Sequence, residues 1–253
     1  MDKDRASIVQ KAFARQAKAF ARSPLQTDPE RLRRLIRFMA PQAGETVLDV
    51  ACGPGIVTGA LAGEGLQALG IDLTDAMVRE ARARQAGGHY VRGDVARLPF
   101  RKGIFDIVVC RNSFHHLADP LAVAREMKRV TRLGGRVVIE DMRAPDDPVQ
   151  REYHELIERL RDTAHERTLT RGEMLEVLAA AGLVPAREEP LIFSIDFEEW
   201  IDRAYPGPAA RQRARAMLEA CLEKDRCGLR VFTEAGRLKF ERRSLLLGAT
   251  HPA

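Results

Sequence analysis

The chain has 253 residues, 45% of them hydrophobic, which is enough for one large domain with a core of its own. Lysine and arginine outnumber aspartate and glutamate only 41 to 36, and the excess is spread out, which argues against a nucleic-acid surface. No stretch is apolar for long enough to span a bilayer, MDKDRAS is no secretory leader, and Cys52, Cys110, Cys221 and Cys227 form no C-x-x-C pair; a cytoplasmic protein with reduced thiols and no metal is expected.

Phe13, Ala17 and Phe20 recur at helical spacing in the first forty residues, with lysine and arginine between them. A helix lying on a membrane surface would also show this pattern and is the weaker reading. Val47 to Val50 is an apolar run interrupted only by Asp49, and it breaks into Ala51-Cys52-Gly53-Pro54-Gly55. That order predicts a buried strand delivering its carboxyl end to a ligand. Gly53 and Gly55 let the backbone turn sharply and approach it closely. An acid ending such a strand is costly without a partner and suits a cationic or hydroxyl-rich ligand.

Further strands are predicted over 66–72, 89–92, 105–110 and 136–140, with helices over 56–62, 76–86 and 121–133, the last closed by Gly134-Gly135 as a C-cap. The alternation predicts a mostly parallel sheet with helices on both faces. Asp72 ends the second strand about 20 residues after the glycine turn, the place of a ribose-binding acid. Thr74 or Asp75 is the better cap for the helix that follows. Residues 149–164 and 173–181 read as helices, 186–195 and 240–249 as strands, and 209–225 as an arginine-rich helix.

Residues 47–58, Asp72, Gly93-Asp94-Val95, 105–117 and 133–140, with the phrases RGDVARLPF, FDIVVCRNSFHHLADP and VTRLGGRVVIED, resemble the successive motifs of class I S-adenosylmethionine-dependent methyltransferases. The branch they resemble contains the ubiquinone and menaquinone biosynthesis enzymes. The resemblance covers roughly residues 40–145 and implies a Rossmann-like, doubly wound, seven-stranded mostly parallel α/β sheet with an antiparallel last strand and a helical cap. It also implies a helical lid over 1–40, a methyltransferase domain over 41–253, and cap segments near 145–170 and 196–236.

Carried over by position, the resemblance places the methionine end of S-adenosylmethionine at Asp49, with Ala51, Gly53 and Gly55 beneath it. Asp72 and Leu73 take the ribose, Asp94 and Val95 the adenine, and Arg111 and Asn112 flank the transferring methyl. Ala51 stands where the family often has glycine. His115 and His116 at the sheet's carboxyl edge are the candidate general bases, and one imidazole is expected to pack under the loop. Arg143, Arg161, His165 and Arg167 are candidates for an anionic or carbonyl-bearing acceptor. The competing reading of the last cluster is an Asp162–His165 pair at a solvated helix end.

The expectation is methyl transfer to a small molecule, at oxygen or carbon before nitrogen. Nucleic acid is disfavoured as acceptor, because Asn112-Ser113-Phe114-His115 lacks the Asn-Pro-Pro-aromatic segment of amino-directed DNA methyltransferases. The alternatives are a cofactor-binding sensor without transfer activity and an NAD-dependent oxidoreductase. The latter suffers because Thr58 departs from the G-x-G-x-x-G pattern and Asp49 would face a pyrophosphate.

Overall fold

The sheet begins at β1 (Thr46–Val50), whose alternating side chains serve two cores. Leu48 and Val50 belong to one apolar cluster and Val47 to the other, so every strand near the centre is covered on both faces. The computed structural model describes residues 3–84 and 87–252. Parallel to β1 on one side lies β2 (Gln67–Asp72), then β3 (His89–Arg92); on the other lie β4 (Phe105–Arg111) and β5 (Thr131–Met142). The long strand β8 (Arg237–Thr250) runs antiparallel to β5 and to β6 (Val184–Asp196), giving the order β3-β2-β1-β4-β5-β8-β6. An eighth short strand, β7 (Val231–Glu234), pairs with the start of β8. Pro185 and Pro190 sit in β6, an edge strand that has no outer neighbour to receive their missing N–H groups.

The helices supply the second layer on each face. Leu35, Phe38 and Met39 of α3 (Pro29–Met39) and Val57 and Leu61 of α4 (Ile56–Gly63) pack with Val47, Ile107 and Val109. Val123, Ala124, Met127 and Val130 of α6 (Pro120–Val130), with Met174 and Leu178 of α8 (Arg171–Ala180), close the other face. The remaining helices are α1 (Lys3–Arg22), α2 (Pro24–Thr27), α5 (Asp75–Ala83), α7 (Pro148–Arg161), α9 (Phe197–Ala204) and α10 (Pro208–Glu219). Ile157, Phe197, Trp200, Ala214, Leu218 and Phe240 form a separate cluster, so the cap has its own small core. No helix among the described residues is long and apolar enough to cross a membrane.

Several boundaries differ from expectation. The helix predicted over 121–133 ends at Val130, and Gly134-Gly135 is no C-cap. Thr131 already pairs with Phe105, and Gly134 takes φ +72° inside β5 while its N–H donates to the His251 carbonyl. A Cβ on Gly135 would stand 2.6 Å from Thr131 Cγ2 and 2.8 Å from the Asp106 carbonyl, so the glycines admit a tight fold-back of the strand. The helix predicted over 209–225 stops at Glu219, and the predicted 76–86 helix is seen to Ala83, Ala86 lying outside the described residues. Strand β7 was not foreseen; its turn to β8 uses Ala235 and Gly236, both at positive φ, without an Asn-Gly signal.

Candidate active site

β1, β2 and β4 all end at one edge, and their carboxyl ends open into a single cavity. Its walls include Asp49, Ala51, Gly53, Asp72, Leu73, Asp94, Val95, Arg111, Asn112 and His116, so most of the predicted cofactor residues meet there. Gly55 turns just behind Gly53 at φ +74°, where a Cβ would stand 2.6 Å from the Tyr90 ring. The glycine is required by close approach as well as by its dihedral. Ala51 carries φ +55°, a strained value for a residue with a Cβ.

The three acids are held differently. Asp49 is buried, and its Oδ2 accepts from the Thr58 N–H at 3.0 Å and the Thr58 hydroxyl at 2.7 Å. Burial pushes its carboxyl up to about 7, against the pull of Thr58 and Arg111. Asp72 accepts from the Gly53 N–H at 2.9 Å and the Thr74 N–H at 2.8 Å, which ties the glycine turn to the end of β2. Burial raises this carboxyl too, and the residue is part of the cavity wall. Thr74 occupies the N-cap position of α5 without a side-chain bond, so Asp72 supplies part of the capping expected from its neighbours. Asp94 accepts from the Ala96 N–H at 2.9 Å through one oxygen.

The opposite wall comes from the N-terminal segment. Val9, Phe13 and Phe20 of α1 line the cavity, as does Gln26 of α2. Arg111 donates to the Gln26 carbonyl at 3.0 Å and Asn112 Nδ2 to its side-chain oxygen at 3.2 Å, so Gln26 ties α2 to the end of β4. Thr58 and Gln26 were missed in the sequence. Thr58 registered only as a break in a glycine pattern, and nothing local marks Gln26.

His115 and His116 lie on the 3-10 turn Phe114–His116 and diverge. His115 Nδ1 sits 2.6 Å from Asp141 Oδ1, and the ring is tucked between His116 and His165, away from the cavity lining. Asp141 also accepts from the Phe114 N–H; although burial alone would raise it, His115 holds its carboxyl below the usual range. His116 lines the cavity with its edge against Phe13. Its Nδ1 donates to the Ala164 carbonyl at 3.0 Å, which leaves Nε2 as the lone-pair nitrogen. Burial, and then His115, pushes it down to about 3, so it is neutral at physiological pH.

The predicted acceptor residues do not converge on the cavity. Arg143 pairs with Asp146 and Arg167 with Glu173, both at the surface. His165 Nε2 meets Glu155 at 3.0 Å rather than Asp162. Arg161 is buried, donates to the Trp200 carbonyl at 3.0 Å and lies over its ring. For Arg161 the reason is spatial: it ends α7, which lies along α10, and its side chain enters the cap.

A methyltransferase-domain family model matches residues 48–139. The uncharacterized methyltransferase YcgJ of Bacillus subtilis is 31% identical over 206 residues, covering 79% of this chain and 81% of that protein. Its crystal structure superposes with a TM-score of 0.82 at 25% identity, over 88% of this chain and 99% of that one. A demethylmenaquinone methyltransferase of Beutenbergia cavernae is 35% identical over 113 residues, 45% of this chain and 47% of that protein. Geranyl diphosphate methyltransferase, solved with S-adenosylmethionine, shares the fold at a TM-score of 0.63 and 21% identity, over 88% of this chain and 84% of that one. With the ordered motifs, the sheet and the cavity in agreement, the chain belongs to the class I S-adenosylmethionine-dependent methyltransferases.

Proposed function

We propose that the protein transfers the methyl group of S-adenosylmethionine to a hydroxyl or acidic carbon of a small molecule in this cavity. The carrying observation is the joint lining of one cavity by Asp49, Asp72, Asp94 and a neutral, tautomer-locked His116. The residues fit the cofactor. The backbone at Gly53 and Gly55 forms a cradle that a Cβ at Gly55 would fill, Asp72 offers a carboxylate for ribose hydroxyls, and Asp94 with the Val95 amide suits adenine. Asp49 suits the ammonium of the methionine end.

When bound, the cofactor supplies a methyl already activated by its sulfonium. The protein is then left to align a nucleophile and exclude water. Alignment supplies roughly 7–11 kcal/mol in favourable cases. Phe13, Phe20 and Val9 form the apolar lid that keeps water from the acceptor. His116 Nε2 is the group placed to accept a hydrogen bond from the acceptor and orient it; with a pKa of about 3 it is too weak a base to keep the proton, which passes on to solvent. His115, gripped by Asp141, sets the loop from behind.

Calorimetric titration with S-adenosylmethionine, S-adenosylhomocysteine and NAD tests the reading, followed by labelled methyl transfer to phenols, quinols and acidic carbons. Saturable binding of both adenosyl ligands without NAD binding is expected. Absence of adenosyl binding refutes it.

A further inference from the structure

From Arg111 and Phe20 in the cavity wall a layer of buried charge extends away from the cavity, and apart from Arg111 the cofactor reading does not use it. Five guanidinium groups, of Arg31, Arg111, Arg161, Arg203 and Arg242, are nearly inaccessible there, against four buried carboxylates, of Glu140, Glu158, Asp162 and, already gripped by His115, Asp141. Glu140 serves Arg31 at 3.2 Å and Arg111 at 3.3 Å; Glu158 serves Arg161 at 3.5 Å and Arg242 at 3.6 Å. Asp162 adds only a 3.9 Å approach to Arg161. Arg203 has no carboxylate within ion-pair distance among the described residues. Its one side-chain hydrogen bond runs to Ser23 Oγ at 3.1 Å.

Among the polar atoms left over in this layer, donors outnumber the two unpartnered carboxylate oxygens, Glu158 Oε2 and Asp162 Oδ2. Arg203 Nε, Arg242 Nε and Nη2, Arg111 Nη2, Trp200 Nε1 and the Ser244 hydroxyl are buried without a hydrogen-bond partner among the described residues. Sequence spacing explains their convergence. Phe240, Arg242 and Ser244 alternate along β8 and share one face, while Trp200 and Arg203 stand three residues apart on α9. Trp200 packs its edge on Phe240 at 5.2 Å, which seats α9 over that face. Arg203 then reaches over the Phe20 ring at 5.7 Å, and Phe20 and Arg111 both line the cavity.

A surplus of buried guanidinium over carboxylate is costly unless an anion completes it, and the planar fork of arginine matches the paired oxygens of a carboxylate or phosphate. We infer that the Arg203–Arg242–Arg111 layer receives an anionic group of the methyl acceptor, a carboxylate or a phosphate, beyond Phe20. The inference rests on the methyltransferase reading of the cavity. It makes the acceptor an amphipathic acid whose nucleophile lies at His116 and whose charge lies under α9.

The test uses the full chain with and without S-adenosylhomocysteine, titrated calorimetrically and melted with benzoate, phenyl phosphate or benzamide at fixed chloride. One of the two anions should bind saturably and raise the melting temperature, and which one tells carboxylate from phosphate. The neutral isostere benzamide should do neither. Arg203→Met and Arg242→Met should weaken that anion at least 10-fold and leave S-adenosylhomocysteine affinity unchanged. Equal effects of benzamide, no binding of either anion, or undiminished anion binding in both variants would overturn the inference. If a methionine variant does not fold, Arg203→Lys keeps the charge without the fork and should still weaken the anion, and the wild-type contrast of benzoate with benzamide decides independently. Failure of the wild type to bind S-adenosylhomocysteine is a separate result that refutes the cofactor reading. The cofactor-free arm still reads the anion in that case.

Discussion

The burial of Asp49 makes cofactor affinity pH-dependent in a direction and range the structure sets. In the ligand-free protein burial holds this carboxyl up at about 7, despite two Thr58 hydrogen bonds and Arg111. Below that pH the group is mostly protonated and neutral. An ammonium ligand favours the carboxylate, so binding must expel the proton. Affinity is therefore full above pH 7 and falls as pH drops, by about tenfold or 1.4 kcal/mol per unit. Between pH 7.5 and 5.5 the expected loss is roughly 30-fold. The cofactor's own ammonium and carboxylate do not titrate in this window, and Asp49→Asn removes the effect at its source. The assay is calorimetric titration of S-adenosylhomocysteine from pH 5.5 to 8 on wild type and variant. The variant should bind more weakly at pH 8 and show a flatter profile. A flat wild-type profile, or a variant that keeps the slope, would refute the argument that Asp49 meets the charged end of the ligand.

The same acid sets a stability prediction for the ligand-free protein. Its folded carboxyl titrates near 7 against 3.8 for the ordinary group, so the folded form keeps a proton that the unfolded chain releases. This contribution is present below pH 4 and lost between 4 and 7; Asp49→Asn should therefore melt higher than wild type at pH 8, by an amount on the order of 1–3 kcal/mol, and the gain should vanish near pH 4. Gly55→Ala puts a Cβ 2.6 Å from Tyr90 Cε1 and 2.8 Å from Ala81 Cβ at φ +74°, and should lower stability by about 1–3 kcal/mol in a denaturant melt. Asp72→Ala should weaken cofactor binding by about 2–4 kcal/mol, because the ribose contact and the Gly53 and Thr74 tethers go together; unchanged affinity would sink the assignment. His116→Gln should lower kcat by about tenfold, the worth of one orienting hydrogen bond, with cofactor affinity retained, read once an acceptor turns over, whereas equal kcat would remove His116 from the chemistry.

How far the sequence could be read depended on whether a signal was local. The strands ending at Asp49 and Asp72 announce themselves by an apolar run and a closing acid, with a glycine turn after the first, and the mostly parallel layering follows from the alternation of strands and helices. β3 was anticipated residue for residue because its flanks, Gly88 and Gly93, bracket it closely. The His115–His116 pair was legible as a pair, but not which ring faces the cavity. That depends on Asp141 and Ala164, distant in sequence, each capturing one Nδ1. Gln26 was invisible for the same reason, since its partners Arg111 and Asn112 lie 85 and 86 residues away. Sequence could not show that Arg143 and Arg167 pair with Asp146 and Glu173 away from the cavity lining, because a local run of charge looks alike whether it meets a ligand or a neighbouring carboxylate.

The pairing of Asp49 with Gly70 across β1 and β2 shows how the fold pays for its acid. A glycine in the middle of a strand weakens it, and Gly70 has no turn to make. A Cβ there would stand 2.7 Å from Thr58 Oγ1 and 2.8 Å from Cys52 Sγ. The bare position is therefore what lets Thr58 reach across from α4 and give Asp49 Oδ2 both its N–H and its hydroxyl. Those two bonds fix the rotamer of a carboxyl that burial would otherwise leave neutral and unaimed. Thr58, which broke the dinucleotide glycine pattern, and Gly70, which weakens its strand, are thus one device. It holds a single acid at the sheet's edge in a state poised to ionise when a cation arrives.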